Sequence, residues 1–596
     1  MDPLREEAIH NERHVKIICV GAGASGLCLA YKLQRSFRSY SLKIYEKNPS
    51  VGGTWYENRY PGCACDVPSH NYVYSFEPKA DFSSVYASSS EIQGYFEGFA
   101  NKYDLGKHIA LSHAVEKTTW IEDEGKWQVE TRNLVTGELI QDWCHILVHA
   151  CGYLNKPTWP ELPGLDSYQG VKMHSADYDP SISLEGKNVL LVGAGSSAVQ
   201  ILPTIQPIVK NVTIFVRSPT WVLPDISTEA GQFSAEEIER FVNEPETVLK
   251  LRQDNERTMN SIFSMYLKDT ILQNQAKSLL ESEMKKIFNG DKEAEEKLIP
   301  DFAVGCKRVI PSGFRYLRAL KQDNVTVVYS GVESFTPTGV TSAGGSRHDG
   351  DVIICATGFD TSYVSRYPIL LGPGGRNLQD EWAASIMGYM GVGASEFPNT
   401  FTFLGPYTPV SNGPTLVAIE AQADYVCAFV DRFQTEPSLH SAAPRRDVCL
   451  EFKDHVRGFM ERAVWTDHCR NSHNNHTVGG RVPTTWPGST LHYLEAVREP
   501  RWDDWDLRYR GNRFAWLGNG VSQTEWDPTA DLGYYIRQRD DGPWESRWRR
   551  LAALNKSGTM PPRALHRQPK LAAQPAADVV NKEEAEEIVH AAAEAS

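Results

Sequence analysis

Two stretches of this chain repeat one pattern of apolar and polar positions. In the first, the buried-strand run HVKIICV leads through the glycine turn GAGASG into the helix-periodic LCLAYKLQRSF and then a second strand, SLKIYE. In the second, NVLLV, GAGSSA, VQILPTI and NVTIFVR follow in the same order. Short apolar runs that alternate with helices across glycine turns predict buried parallel strands, the βαβ unit of a Rossmann-like sheet. A lone GxGxxG is a weak signal, but two copies in this strand, turn and helix context predict two dinucleotide-binding units.

Between residues 227 and 300 the pattern changes. EEIERFVNEPETVLKLRQ and QAKSLLESEMKKIFNG are charged and helix-periodic with no strand signal, and they predict a helical insertion. ACGYLNKP and DVIICATGFD read as two crossings between domains. The expected fold is α/β, with two Rossmann-like dinucleotide-binding domains and the insertion. The first domain takes residues 1–155 and 359–550, and the second takes 156–226 and 301–358. The Ala-, Pro- and Glu-rich tail, 551–596, reads as disordered.

At 596 residues the chain exceeds what a single core serves. Its net charge of -14, without a long basic stretch, argues against nucleic acid or an anionic membrane surface as partner. No apolar run reaches the roughly 18 residues of a bilayer span. The polar start MDPLREEAIHNERHVKIICVG has no signal core, so a cytoplasmic enzyme acting on small molecules is expected. The 11 cysteines are scattered through apolar runs and read as reduced, buried thiols. Cys63 and Cys65 lack a second pair to complete a zinc site, and His468, Cys469, His473 and His476 are irregularly spaced in a polar loop. No metal is expected.

Each residue of the two turns has a use. Gly21 allows the tight turn, Gly23 lets the backbone approach a pyrophosphate, and Gly26 lets helix and strand pack, while the helix N-terminus offers free amides to phosphate. The first unit's second strand ends at Glu46, a carboxylate that accepts from ribose hydroxyls and repels a 2′-phosphate, so this unit should hold FAD or NAD. In the second unit Gly193, Ala194, Gly195, Ser196, Ser197 and Ala198 form the turn, and the strand ends at Arg217 and Ser218. A guanidinium there pairs with a 2′-phosphate, which predicts NADPH. Separate sites for FAD and NADPH in one chain describe a hydride-accepting flavoenzyme.

The loop VGGTWYENRYPGCACDVPSHNYVYSF follows the first unit, and Gly53, Trp55, Tyr60, Pro61, Gly62 and Asp66 within it stand in the pattern GxWxxxxYPGxxxD. This resembles the signature of the Baeyer–Villiger monooxygenases. The family's second fingerprint is matched at Gly170, His174 and Asp179, with Tyr168 and Tyr178 in place of Phe and Trp. GCKRVIP carries Lys307 and Arg308 where the family places a lysine near the NADPH 2′-phosphate and an arginine over the flavin. The resemblance runs from about residue 15 to 545, and TWPGSTLHYLEAVREPRWDDWD and FAWLGNG are similar to its fungal natural-product branch. One departure is Cys469-Arg470-Asn471-Ser472-His473-Asn474, where the family commonly has an S-W-Y-like triplet after Cys-Arg.

The resemblance implies insertion of one oxygen atom from O2 beside a ketone carbonyl, giving an ester or lactone through a C4a-peroxyflavin anion. A fungal polyketide or terpenoid ketone is the implied substrate. Arg308 would hold the anion's charge and Asp66 would orient and compensate Arg308. Thr54, Trp55, Tyr56, Glu57, Val67 and Tyr72 fall where the family's loop contacts flavin, and Ala64 and Cys65 fall where it approaches NADP; Tyr60 reads as core packing. N- or S-oxygenation by a related flavin monooxygenase, favoured by Tyr178, and a non-oxygenating NADPH-binding redox sensor are the alternatives.

Overall fold

A computed structural model describes residues 8–224, 231–409, 413–474 and 484–538. The tail 551–596, the first residues of the expected insertion and His476 lie outside the described residues. Two five-stranded, all-parallel sheets organise the molecule. The first runs in the order Thr400–Thr402, Ile146–His149, Val15–Val20, Tyr40–Tyr45, Ile109–Ala110. The second runs Val325–Val328, Asn211–Phe215, Asn188–Val192, Val352–Cys355, Val171–His174. All strands of the second sheet fall in sequence between Ile146–His149 and Thr400–Thr402 of the first.

The strands form where the apolar runs predict them because both faces are covered, as parallel sheets require. Ile17, Cys19, Ile146 and Val148 join one core with the helix Ala24–Ser36, and Val189, Leu191, Val212 and Ile214 join another with the helix Ser196–Ile205. The two units also repeat at atomic detail. Gly21 has φ +106 and a Cβ there would lie 2.6 Å from the Ala150 carbonyl oxygen; Gly193 has φ +125 and a Cβ there would strike the carbonyl of Ala356. In each unit the glycine turn passes directly under the chain leaving the neighbouring strand, so only glycine fits.

The connections cross between the sheets side by side. Pro157 pairs with Phe359, Thr158 N donates to Gly358 O (2.9 Å), and Asp360 N donates to Lys156 O (2.9 Å). His174 of the second fingerprint is buried beneath this crossing, 5.5 Å from the Trp159 ring, and burial lowers it to about 4, so the imidazole is neutral. It accepts from Ala176 N (3.0 Å) through Nδ1. Gly170 and Tyr168 meet at the same sheet edge, where Tyr168 Oη donates to Gly350 O (2.9 Å).

Helices Ala235–Asn243, Pro245–Ser261, Ile271–Phe288 and Lys292–Leu298 occupy the stretch read as an insertion. Their ends follow from local chemistry. Ser234 and Glu237 form a capping box, Pro245 opens its helix, Thr270 caps through Gln273 N, and Asn289 (φ 51) closes the third helix in the left-handed region. A four-stranded mixed sheet (Ile369–Leu371, His113–Ile121, Lys126–Asn133, Leu139–Cys144) flanks the first unit.

Candidate active site

The aromatic loop is the piece that joins the two units. Gly53 (φ +55) faces the first glycine turn, where its Cβ would lie 3.1 Å from Gly23 Cα. Thr54–Glu57 then makes one helical turn. Beyond it the loop crosses to the second unit. Gly62 (φ +80) presses on the helix Ser196–Ile205 so closely that a Cβ would meet Thr204 and the Gln200 carbonyl. Tyr60 Oη donates to Gln200 Oε1 (2.8 Å), and Gln200 Nε2 donates to Ala64 O (3.0 Å). Cys65 is buried and its N–H donates to Ala87 O (3.0 Å), which leaves Asp66 projecting from a pinned backbone.

Arg308 arrives from the opposite side. Ile310 bridges Val222, with Ile310 N donating to Trp221 O (3.2 Å) and Leu223 N to Ile310 O (2.8 Å). Arg308 Nη2 donates to Asp66 Oδ1 at 2.8 Å and Nε donates to Oδ2, a two-pronged pair across 242 positions of sequence. Protein surrounds the guanidinium, yet 39% of the Arg308 side chain and 27% of Asp66 stay accessible because both line a cavity. Burial pulls the Arg308 pKa down, but Asp66 with the phenols of Tyr153 and Tyr266 outweighs it and holds the value above the ordinary one. The cation is therefore permanent and aimed.

Two cavities meet here, sharing Tyr153 and Leu404. The first is lined by the glycine turn at Gly21 and Gly23, by Glu46, and by Gly53, Thr54, Trp55, Glu57 and Tyr72 of the loop. Glu46 is buried, accepts from Ala22 N (2.7 Å) and Asn48 N (2.9 Å), and is raised in pKa chiefly by burial. Trp55 Nε1 donates to Tyr72 Oη (3.2 Å). The second cavity has Asp66, Val67, Lys307 and Arg308 on one side; on the other stand Met259, Ile262, Met265, Leu272, Ala276 and Leu280 of the helical stretch.

The remaining expected residues lie around the two glycine turns. Gly26 packs against the Gly21 carbonyl, and the Arg59 guanidinium covers Tyr56 at 5.0 Å. Gly193, Ala194 and Gly195 form the second turn, and Ser196, Ser197 and the fully buried Ala198 open the helix after it. Arg217 and Ser218 follow Asn211–Phe215, and Lys307 Nζ donates to Ser218 Oγ (2.8 Å) and Pro219 O (3.0 Å). Burial first, then Arg217 and Arg470, lowers Lys307 to about 8.

Two features had no signal in the sequence. Arg366 is buried at the first cavity, donating to Gly152 O (3.0 Å) and Leu404 O (2.8 Å), with Tyr363 4.1 Å away in a cation–π contact. The expectation that all 11 cysteines are reduced is corrected, because Cys306 and Cys469 form a disulfide across a Cα–Cα distance of 6.4 Å; nine remain free. Both half-cystines sit in the same apolar core, brought together although 163 positions apart.

The glycine cradles fit a dinucleotide: a positive φ and a backbone without room for Cβ at each turn, a buried carboxylate at one strand end and a cation at the other. These define a two-dinucleotide flavoprotein of the monooxygenase type. Residues 14–370 match the flavin-binding monooxygenase-like family, and the chain belongs to it. It is 34% identical over 522 residues to the FAD-binding monooxygenase stcW of Emericella nidulans, covering 86% of each chain. It is 32% identical over 532 residues to a Baeyer-Villiger monooxygenase of Streptomyces coelicolor, covering 88% of this chain and 98% of that one. The NADP+-bound cyclohexanone monooxygenase from Rhodococcus sp. Phi1 superposes with a TM-score of 0.72 at 25% identity, over 84% of this chain and all of that one. Among the described residues no helix is long and apolar enough to cross a membrane.

Proposed function

We propose that this flavin monooxygenase is a Baeyer–Villiger enzyme that uses FAD and NADPH and converts an apolar ketone to an ester or lactone. The observation that carries this reading is the Arg308–Asp66 fork facing an apolar cavity. FAD would lie in the cavity of Gly21, Gly23 and Glu46, and NADPH would be held by the second glycine turn with Arg217, Ser218 and Lys307. When bound, the flavin takes hydride from NADPH and delivers one oxygen atom of O2.

The chain's own part is electrostatic. Arg308 places a fixed positive charge beside the reacting centre, and Asp66 keeps its fork from swinging, so charge developing on oxygen meets a donor already in position. Because Asp66 compensates Arg308, the pair adds little net charge to a pocket that has to admit a ketone. Met259, Ile262 and Met265 exclude water from the other wall and suit a hydrocarbon frame. The fungal FAD-binding monooxygenase relatives support a natural-product role, and a polyketide or terpenoid ketone is the substrate class proposed.

The test is product analysis of the FAD-bound protein with NADPH, 18O2 and a panel of cyclic ketones, beside a sulfide and an amine. An 18O-labelled ester or lactone is expected. Sulfoxide or N-oxide without any ester would refute the reading in favour of heteroatom oxygenation, and NADPH oxidation independent of every substrate would refute oxygenation altogether.

A further inference from the structure

We propose that the Cys306–Cys469 disulfide is a positioning device that holds Arg470 beside Lys307 and Arg217, giving the NADPH 2′-phosphate a third cation. Each half-cystine is followed directly by a cation, Lys307 after Cys306 and Arg470 after Cys469, and the bridge ties the two backbones at a Cα–Cα distance of 6.4 Å. Lys307 is in turn pinned to Ser218, the residue after Arg217. Three cations from three distant parts of the sequence thus converge at the end of the strand that selects the ribose. Arg470 acts electrostatically on both others, lowering the pKa of Lys307 and of Arg217 after the larger effect of burial. Among the described residues no carboxylate pairs with any of the three. In a chain of net charge -14, an unneutralised cluster of this kind suits an anion.

The segment bearing Arg470 is built to hold it. Asn471 N donates to Asn474 Oδ1 (3.2 Å) and Asn474 N donates to Asn471 Oδ1 (2.9 Å), a reciprocal pair with both side chains buried. Asn471 Nδ2 donates to Trp465 O (3.0 Å) and lies 3.4 Å from Cys469 Sγ and 3.7 Å from Cys306 Sγ. Ala303 N donates to Asp467 Oδ2 (2.7 Å), a further tie between the two segments. The Cys-Arg-Asn-Ser-His-Asn run that departs from the S-W-Y-like pattern is thereby a rigid, disulfide-anchored carrier of one exposed guanidinium.

The inference rests on the second unit holding NADPH, and the experiment separates the two. The probes are NADP+, NAD+ and adenosine 2′,5′-bisphosphate, titrated calorimetrically into the FAD-bound protein. If the wild type binds NADP+ no tighter than NAD+, the NADPH reading itself fails. If it discriminates, Arg470→Ala is expected to weaken NADP+ and the bisphosphate about tenfold while leaving NAD+ unchanged, the scale of one charge-assisted phosphate contact. Arg470→Lys should restore most of the loss. Unchanged NADP+ affinity, or equal weakening of NAD+, overturns the role of Arg470.

For the bridge, unfolded protein without reductant should titrate nine thiols and with reductant 11; 11 in both would overturn it. Cys306→Ser with Cys469→Ser should reproduce the selective NADP+ loss, and adding Arg470→Ala should then cost little more. If that pair fails to fold, native wild type is reduced with a phosphine, which turns the disulfide and one water into two thiols and a phosphine oxide, and is capped with iodoacetamide before titration. NADP+ affinity unchanged by opening the bridge overturns the positioning role.

Discussion

Removing either member of the Arg308–Asp66 fork is expected to separate oxygen insertion from NADPH oxidation. The two parallel N–H···O contacts fix the guanidinium plane, and losing one partner of a fully buried pair costs about 3–5 kcal/mol. With 39% and 27% of the side chains accessible, solvent screens the orphaned charge and a stability cost of about 1–3 kcal/mol is the better expectation. The effect on turnover is larger. Arg308→Ala removes a preorganised donor and should lower ester formation about 10²–10³-fold. Asp66→Ala leaves the donor but unfixes it, so a loss of roughly tenfold to hundredfold follows. Arg308→Lys, which keeps the charge without the fork, should fall between. The assay measures ester by gas chromatography, NADPH by absorbance, and hydrogen peroxide, with FAD content as control. Ester should fall while NADPH is still consumed and peroxide takes up the electrons. Native ester yield from Arg308→Ala, or an ester loss that merely tracks lost FAD, would refute the reasoning.

Lys307, at about 8, keeps its ammonium below that pH and loses it above; NADP+ affinity should therefore fall as pH rises from roughly 7 to 9, by at most about tenfold per unit beyond the midpoint. NAD+ affinity should stay level across the same titration, and Lys307→Arg should flatten the NADP+ curve. Gly193→Ala forces a side chain into the Ala356 carbonyl at φ +125 and should abolish NADP+ binding while FAD stays bound, whereas Gly21→Ala should yield apoprotein; flavin absorbance and calorimetry distinguish them. Glu46→Ala strips the acceptor from Ala22 N and Asn48 N as well as from the ribose, and FAD affinity measured by reconstitution should drop at least about tenfold.

What could be read before folding was local. The strands at Val15–Val20 and Asn188–Val192 and the glycine turns after them follow from short apolar runs and from residues that alone tolerate the backbone required. The likeness of the aromatic loop to a known signature was needed to bring Asp66 and Arg308 together, since nothing in composition links positions 242 apart. What stayed hidden was long-range. Cys306 and Cys469 each lie in ordinary sequence, and no spacing rule pairs cysteines 163 residues apart. Arg366 follows a strand that reads as a domain crossing, and its partners, the carbonyls of Gly152 and Leu404, have no sequence signature at all.

The helical stretch shows most directly why pattern and position carry different information. An amphipathic period states that a face is covered, not by what. Here Val248 and Met259 are buried, Asn71 Nδ2 donates to Arg252 O (2.9 Å), and Arg252 Nη2 donates to Tyr74 O (3.1 Å), so the helix Pro245–Ser261 is clamped to the far end of the aromatic loop. The same loop is bonded to the second unit through Tyr60 and Gln200. A loop anchored at both ends cannot carry Asp66 far unless the insertion or the second unit moves with it. The apolar wall of the cavity and the carboxylate that pairs with Arg308 are thus coupled mechanically. Substitutions at Met259 or Met265 that enlarge the cavity should change which ketones are accepted while leaving the fork in place. Substitutions at Arg252, which unclamp the loop, should instead reproduce the uncoupling of Asp66→Ala and, because Arg252 shares its helix with Met259, alter which ketones are accepted as well.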